Sequence, residues 1–166
     1  MSLSVTNSLT LRIYYNRYSS VASGATRKDS TTGTLSMADS SALRNAIRRL
    51  QDYDFKEADT DDIQEKLQAF ADTMNNTLTS ATDYGTNDSS VKNAAKKIKN
   101  LNSEYASDLK KIGITVEKNG TLSVYESAGK NYSAERFSKF FDSDSEYLNS
   151  IYDAAKRIMR RVDIRL

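Results

Sequence analysis

Two acidic stretches, "EADTDD" from Glu57 to Asp62 and "DSDSE" from Asp142 to Glu146, are the first residues whose types and spacing invite a chemical reading. Clustered carboxylates can hold Ca2+. A calcium loop, however, alternates its acids, turns on a glycine and closes with a distant bidentate Glu, and neither stretch does so. Negative charge at a helix N-terminus accounts for the first, and capping for the second. Two basic stretches, "RNAIRR" and "KRIMRR", have the charge to grip phosphates. No base-stacking aromatics are interleaved with them, which argues against nucleic acid as a partner. Lys156, Arg157, Arg160, Arg161 and Arg165 gather near a helix C-terminus, where the dipole favours cations. Asp153 with Arg157, Asp62 with Lys66 and Glu135 with Lys139 have the acid-before-base order, four residues apart, of solvated helix faces. The glycines of "ASGAT" and "STTGT" are too few for a phosphate loop and precede no strand–helix unit.

What the 166-residue chain lacks narrows the chemistry further. It contains no Cys, hence no disulfide, thiolate nucleophile or thiolate metal site, and no His, the usual general base near neutral pH and the commonest transition-metal ligand. Ser and Thr are plentiful, but no His is present to activate one, and nothing marks out a Lys for that role. No catalytic residue, cofactor or metal site is expected, and the chain does not read as an enzyme. Lys and Arg total 24 against 22 for Asp and Glu, an excess too slight to create a strong field for nucleic acid or an acidic membrane. No apolar run approaches the roughly 20 residues that span a bilayer. The start, "MSLSVTNSLTLRIYYNRYSS", lacks a basic region followed by an apolar core and a small-residue cleavage site. A cleaved secretory signal is therefore not expected.

The elements that must position any site are mostly helices. Absence of Pro favours long helices, and a hydrophobic share of 38% with a mean hydropathy of −0.64 implies a thin core under a large surface. Together these predict a mainly α fold: an elongated bundle of coiled-coil-like long helices. Residues 1–36, rich in Ser and Thr, read as a mobile segment, and 37–166 as the bundle domain. "LTLRIYY" fits a short strand by alternation, yet Leu11, Tyr14, Tyr18 and Val21 also fit one helical face. Beyond it, Leu43, Ile47 and Leu50 form a stripe beginning at a cap on Asp39 or Ser40. Ile63, Leu67, Phe70, Met74, Leu78 and Ala81 form the next, ending at Gly85. Val91, Ile98, Tyr105 and Ile112 recur every seven residues from a start near Asp88 or Ser89, a heptad seam. Ser133 can cap a short helix carrying Phe137, Phe140 and Phe141, and Ser143 with Glu146 makes a capping box for the last helix. That helix carries Leu148, Ile151, Tyr152, Ala155, Ile158, Met159 and Val162 on one face.

One stretch departs from the helical pattern. "IGITVEKNGTLSV" reads as a β-hairpin over about 113–126, with Gly113 as a left-handed helix stop. A two-residue Asn119-Gly120 turn would split its apolar residues between faces. A three-residue loop, Lys118 to Gly120, pairs Val116 with Leu122 and Ile114 with Val124, so all four share one face. It also puts Gly120 where positive φ is required. A lone hairpin is marginal in water, so that face must meet the helices or a partner.

"LKKIGITVEKNGTLSVYES" followed by "FSKFFDSDSEYLNSIYDAAKRIM" resembles the C-terminal part of flagellar hook-associated protein 2, the filament cap, over about residues 88–160. The residues that carry the resemblance are Leu109, Ile112, Gly113, Ile114, Thr115, Gly120, Leu122, Phe140 and Phe141, with Asn119 where the family has Asp. The resemblance implies a cap-related structural or assembly protein of the bacterial flagellum, whose partners are itself or flagellar axial proteins. It also implies export without a cleaved signal. The residues implied for assembly are Val91, Ile98, Tyr105, Leu148, Ile151, Ile158 and Met159, some of which must fill the protomer's own core. The alternative is a cytoplasmic helical adaptor or export chaperone that binds a partner helix in a groove.

Overall fold

A computed structural model of the chain describes residues 9–130 and 133–162. Four long helices dominate it: α3 (Thr32–Gln51), α4 (Thr60–Tyr84), α5 (Ser89–Glu104) and α8 (Glu146–Arg161). Shorter elements join or flank them: α1 (Leu9–Tyr15), α2 (Gly24–Asp29), α6 (Ala106–Lys111), β1 (Ile114–Val116), β2 (Leu122–Val124) and α7 (Ala134–Phe140). Single 3-10 segments lie at Asn16–Ala22 and Phe55–Glu57.

The long helices close a ring in which α3 touches α4 and α8, and α5 touches the same two. Their directions follow from the cross-links. Gln51 on α3 reaches Asn149 on α8, whereas Arg44 reaches Tyr152 and Met159, so these two run antiparallel. Each helix hides one stripe. Leu43, Ile47, Phe70, Met74, Val91, Ile98, Leu148, Ile151 and Ile158 are all fully buried and share one core. Burying a side chain of this kind stabilises the fold by about 1.5–3 kcal/mol, so the stripes are sufficient reason for the ring.

The ends of the long helices are mostly set as their residue types dictate. Asp59 caps α4 by accepting from the Asp61 amide, Asp88 caps α5 from Val91, and Ser133 caps α7 from Arg136. Gly85 follows the last turn of α4. Three boundaries differ from the sequence reading. Helix α3 starts at Thr32 with Thr31 as its cap, which leaves Asp39 and Ser40 buried inside the helix. Ser145, not Ser143, caps α8, and Glu146 is its first residue. The heptad helix bends at Tyr105, which separates α5 from α6.

The largest correction is at the N-terminus. Residues 1–8 lie outside the described residues, but 9–36 form packed helices where the composition suggests a mobile segment. Leu11, Tyr14, Tyr15, Val21 and Ala22 are buried against Ala38, Ala42 and Ala46 of α3 and Ala69 of α4. "LTLRIYY" is a helix, not a strand. Alanines at four-residue spacing give α3 a second, shallow face beside its Leu and Ile stripe, so the tyrosines can lie flat on it. Among the described residues, no helix is long and apolar enough to cross a membrane.

Candidate interaction site at the hairpin elbow

The hairpin has the three-residue loop. Ile114 faces Val124, Thr115 faces Ser123 and Val116 faces Leu122. The Glu117 amide donates to the Thr121 carbonyl at 2.8 Å, and Gly120 has φ of +84°. Gly113, at φ +86°, ends α6 and turns the chain into β1. Both conformations are left-handed, and a side chain at Gly120 would also meet Lys99 at 2.9 Å.

Which way the apolar face points decides what the elbow does. Ile114 and Leu122 are buried, and Val116 and Val124 are half-buried against the same core. All four side chains are turned inward, toward the helices. Three side-chain amides then fasten the strands. Asn75 on α4 accepts from the Leu122 amide at 2.8 Å and donates to its carbonyl at 2.7 Å, taking the place of a third strand along β2. About three turns earlier on α4, Gln64 donates to the Tyr125 carbonyl and accepts from the Gly129 amide. Buried Asn102 of α5 donates to the Gly120 carbonyl at 2.9 Å and accepts from the Tyr147 hydroxyl at 2.8 Å. Burial also pushes the Tyr147 phenol well above its usual pKa, so it remains a donor at neutral pH.

Below the elbow, α6, α7 and the start of α8 enclose a groove of about 450 Å3. Its floor is Tyr105, Ile112, Phe140 and Tyr147, and its rim carries Lys111, Arg136 and Lys139 opposite Asp108 and Glu146. The rings hold one another: Tyr105 and Tyr147 centroids lie 5.1 Å apart, and Phe140 lies 5.7 Å from Tyr147.

Of the residues implied for assembly, Val91, Ile98, Leu148, Ile151 and Ile158 belong to the protomer's own core. Only Tyr105 and Met159 reach the surface; Met159 does so beside Arg44, whose guanidinium donates to its sulfur at 3.2 Å. Asn75, Gln64 and Asn102 were not foreseen. Asn102 left a readable signal, since it stands four residues after Ile98, where the buried stripe calls for an apolar residue. Lys139 and Arg136, at the groove's rim, left none.

A second polar cluster ties down the N-terminal helices. Asp39, fully buried, accepts two hydrogen bonds from the Arg27 guanidinium at 2.7 and 2.9 Å and one from the Tyr15 hydroxyl at 2.6 Å. Asn76 donates to the same hydroxyl. No group of acids among the described residues is arranged to hold a metal ion. The chain matches no protein-family model, no curated protein and no solved structure.

Proposed function

We propose that the chain is a structural assembly protein related to the flagellar filament cap, working through protein–protein contacts with itself or with axial subunits outside the cell. The order of elements carries this proposal: a long helix, a glycine stop, a three-residue-loop hairpin, a short aromatic helix and a second long helix. That order is the one on which the sequence resemblance rests, and the register of the hairpin is the one the resemblance needs. The inward apolar face makes the hairpin a rigid corner that fixes the bundle surfaces, not a sticky flap. Contacts would then fall on surfaces the protomer leaves free, such as the groove at Tyr105 and Phe140.

Co-sedimentation with filaments built from the flagellins of the encoding organism tests this. Substoichiometric binding that slows the addition of further flagellin is expected. Filaments that neither bind the protein nor change their growth would count against it.

The same groove favours a second reading, an adaptor that seats one amphipathic helix of a client on its aromatic floor. Phe140→Ala and Lys139→Glu would then weaken a soluble one-to-one complex and leave filament growth unchanged.

A further inference from the structure

Between α5 and α8 lies a groove of about 430 Å3 whose charge is one-sided. Lys97 of α5 faces Lys156, Arg157, Arg160 and Arg161 of α8 across a floor of Ala94 and Ala154. Among the described residues, Asp153 is the only acid that lines it. None of these five cations makes an ion pair or hydrogen bond within the described residues, although the chain holds almost as many acids as bases. The helix dipole accounts for Arg160 and Arg161 in the last turn of α8. It does nothing for Lys97, in the middle of α5. Like charges gathered in this way repel one another, and an anionic occupant would relieve the cost.

The opposite end of the bundle supplies one. There the α3–α4 connection and the start of α8 meet, with Gln51 donating to the Asp142 carbonyl and Phe55 stacked on Phe141. Asp52, Glu57, Asp61 and Asp144 are exposed there, and their carboxylates accept nothing from the described chain. Four bases stand near them: Lys56 in the α3–α4 connection, and Arg48, Arg49 and Lys66 beside Asp52. Asp153 in the basic groove has a counterpart in these bases. A phosphate backbone offers nothing to pair with Asp153, and among the described residues no aromatic ring lines the groove to stack a base.

We infer that the α5–α8 groove receives the acidic α3–α4 corner of a second copy of this chain. The two surfaces lie at opposite ends of α8, so the contact is heterologous and generates rings or open filaments, not a closed pair. The inference rests on the assembly reading above, and specifies its self-association.

Charge exchange tests it, because every altered side chain is exposed. At low salt the wild-type protein should self-associate, and association should fall steeply as salt rises. Arg157→Glu with Arg160→Glu, or Glu57→Lys with Asp61→Lys, should each weaken it by at least about tenfold. An equimolar mixture of the two variants should associate again. Arg157→Lys with Arg160→Lys should retain association, which separates lost charge from lost fold. Self-association unchanged in either charge-reversed variant overturns the contact while leaving filament binding to be judged alone. A monomeric wild type that instead retains duplex DNA, and loses it on Arg157→Glu with Arg160→Glu, assigns the groove to phosphate and also overturns the inference.

Discussion

Arg27 and Asp39 form a two-bonded ion pair in which the carboxylate has no access to water and the guanidinium has a little. Removing one partner should therefore be worse than removing both. Arg27→Met leaves a buried anion with Tyr15 as its remaining strong donor and should cost about 3–5 kcal/mol. Arg27→Met combined with Asp39→Leu should cost less, as urea unfolding of the two variants would show. Asp72 presents the reverse case. Desolvation raises its pKa, opposed in part by the hydrogen bond from Gln68, and its second oxygen has no partner. A carboxyl whose folded pKa lies above its unfolded value costs stability once pH exceeds both. Asp72→Asn should thus raise the melting temperature at pH 7, and the gain should shrink as pH falls toward about 4 and be gone below it. Tyr14 is pushed up to about 12 by burial, with Asp62 and Glu65 adding to the rise and Arg49 opposing it. Its contribution is complete below pH 10 and lost as pH climbs toward 12. Tyr14→Phe should make alkaline unfolding shallower over that window. These polar roles were not legible in the sequence, because burial and tertiary partners decide them: Asp39 reads as a cap, and its partners are Tyr15 and Arg27, 24 and 12 residues away.

Elements were easier to read than partners. The hairpin's register followed from requiring four apolar residues on one face and a glycine at the loop's third position, both local conditions. Gly120→Ala should destabilise the protein by more than about 1 kcal/mol, since φ is positive and Lys99 is close. Gly24→Ala is the control. Nothing lies within 4 Å of its added carbon, and it should stabilise α2 by about 0.4–1 kcal/mol. The N-terminal helices were not legible. Ser and Thr between Leu11 and Met37 look like a solvated linker unless the alanine stripe on α3 is recognised as a seat for them. Limited trypsin digestion checks that packing: the bonds after Arg12 and Arg17 should survive as long as those in α4 do. Rapid cleavage at both would mean that this layer does not hold.

At the scale of the whole molecule, four stripes of buried residues close the ring and a single corner piece connects two of its helices. Helical spacing, a heptad repeat in the case of Val91 to Ile112, identified these stripes but could not say whether they faced the protomer or a neighbour. Coordinates resolve that for most of them: Ile98 and Ile151 have no surface left to offer. The proposed association would therefore use what remains, the aromatic groove and the two charged ends; the basic end emerges only once α5 lies beside α8, and the acidic one once the α3–α4 connection meets the start of α8. Sedimentation velocity over a wide range of protein concentration at low salt is the most direct measurement of that claim. The weight-average sedimentation coefficient should climb with concentration and fall back when salt is added. A single monomeric species at every concentration and every salt would contradict it.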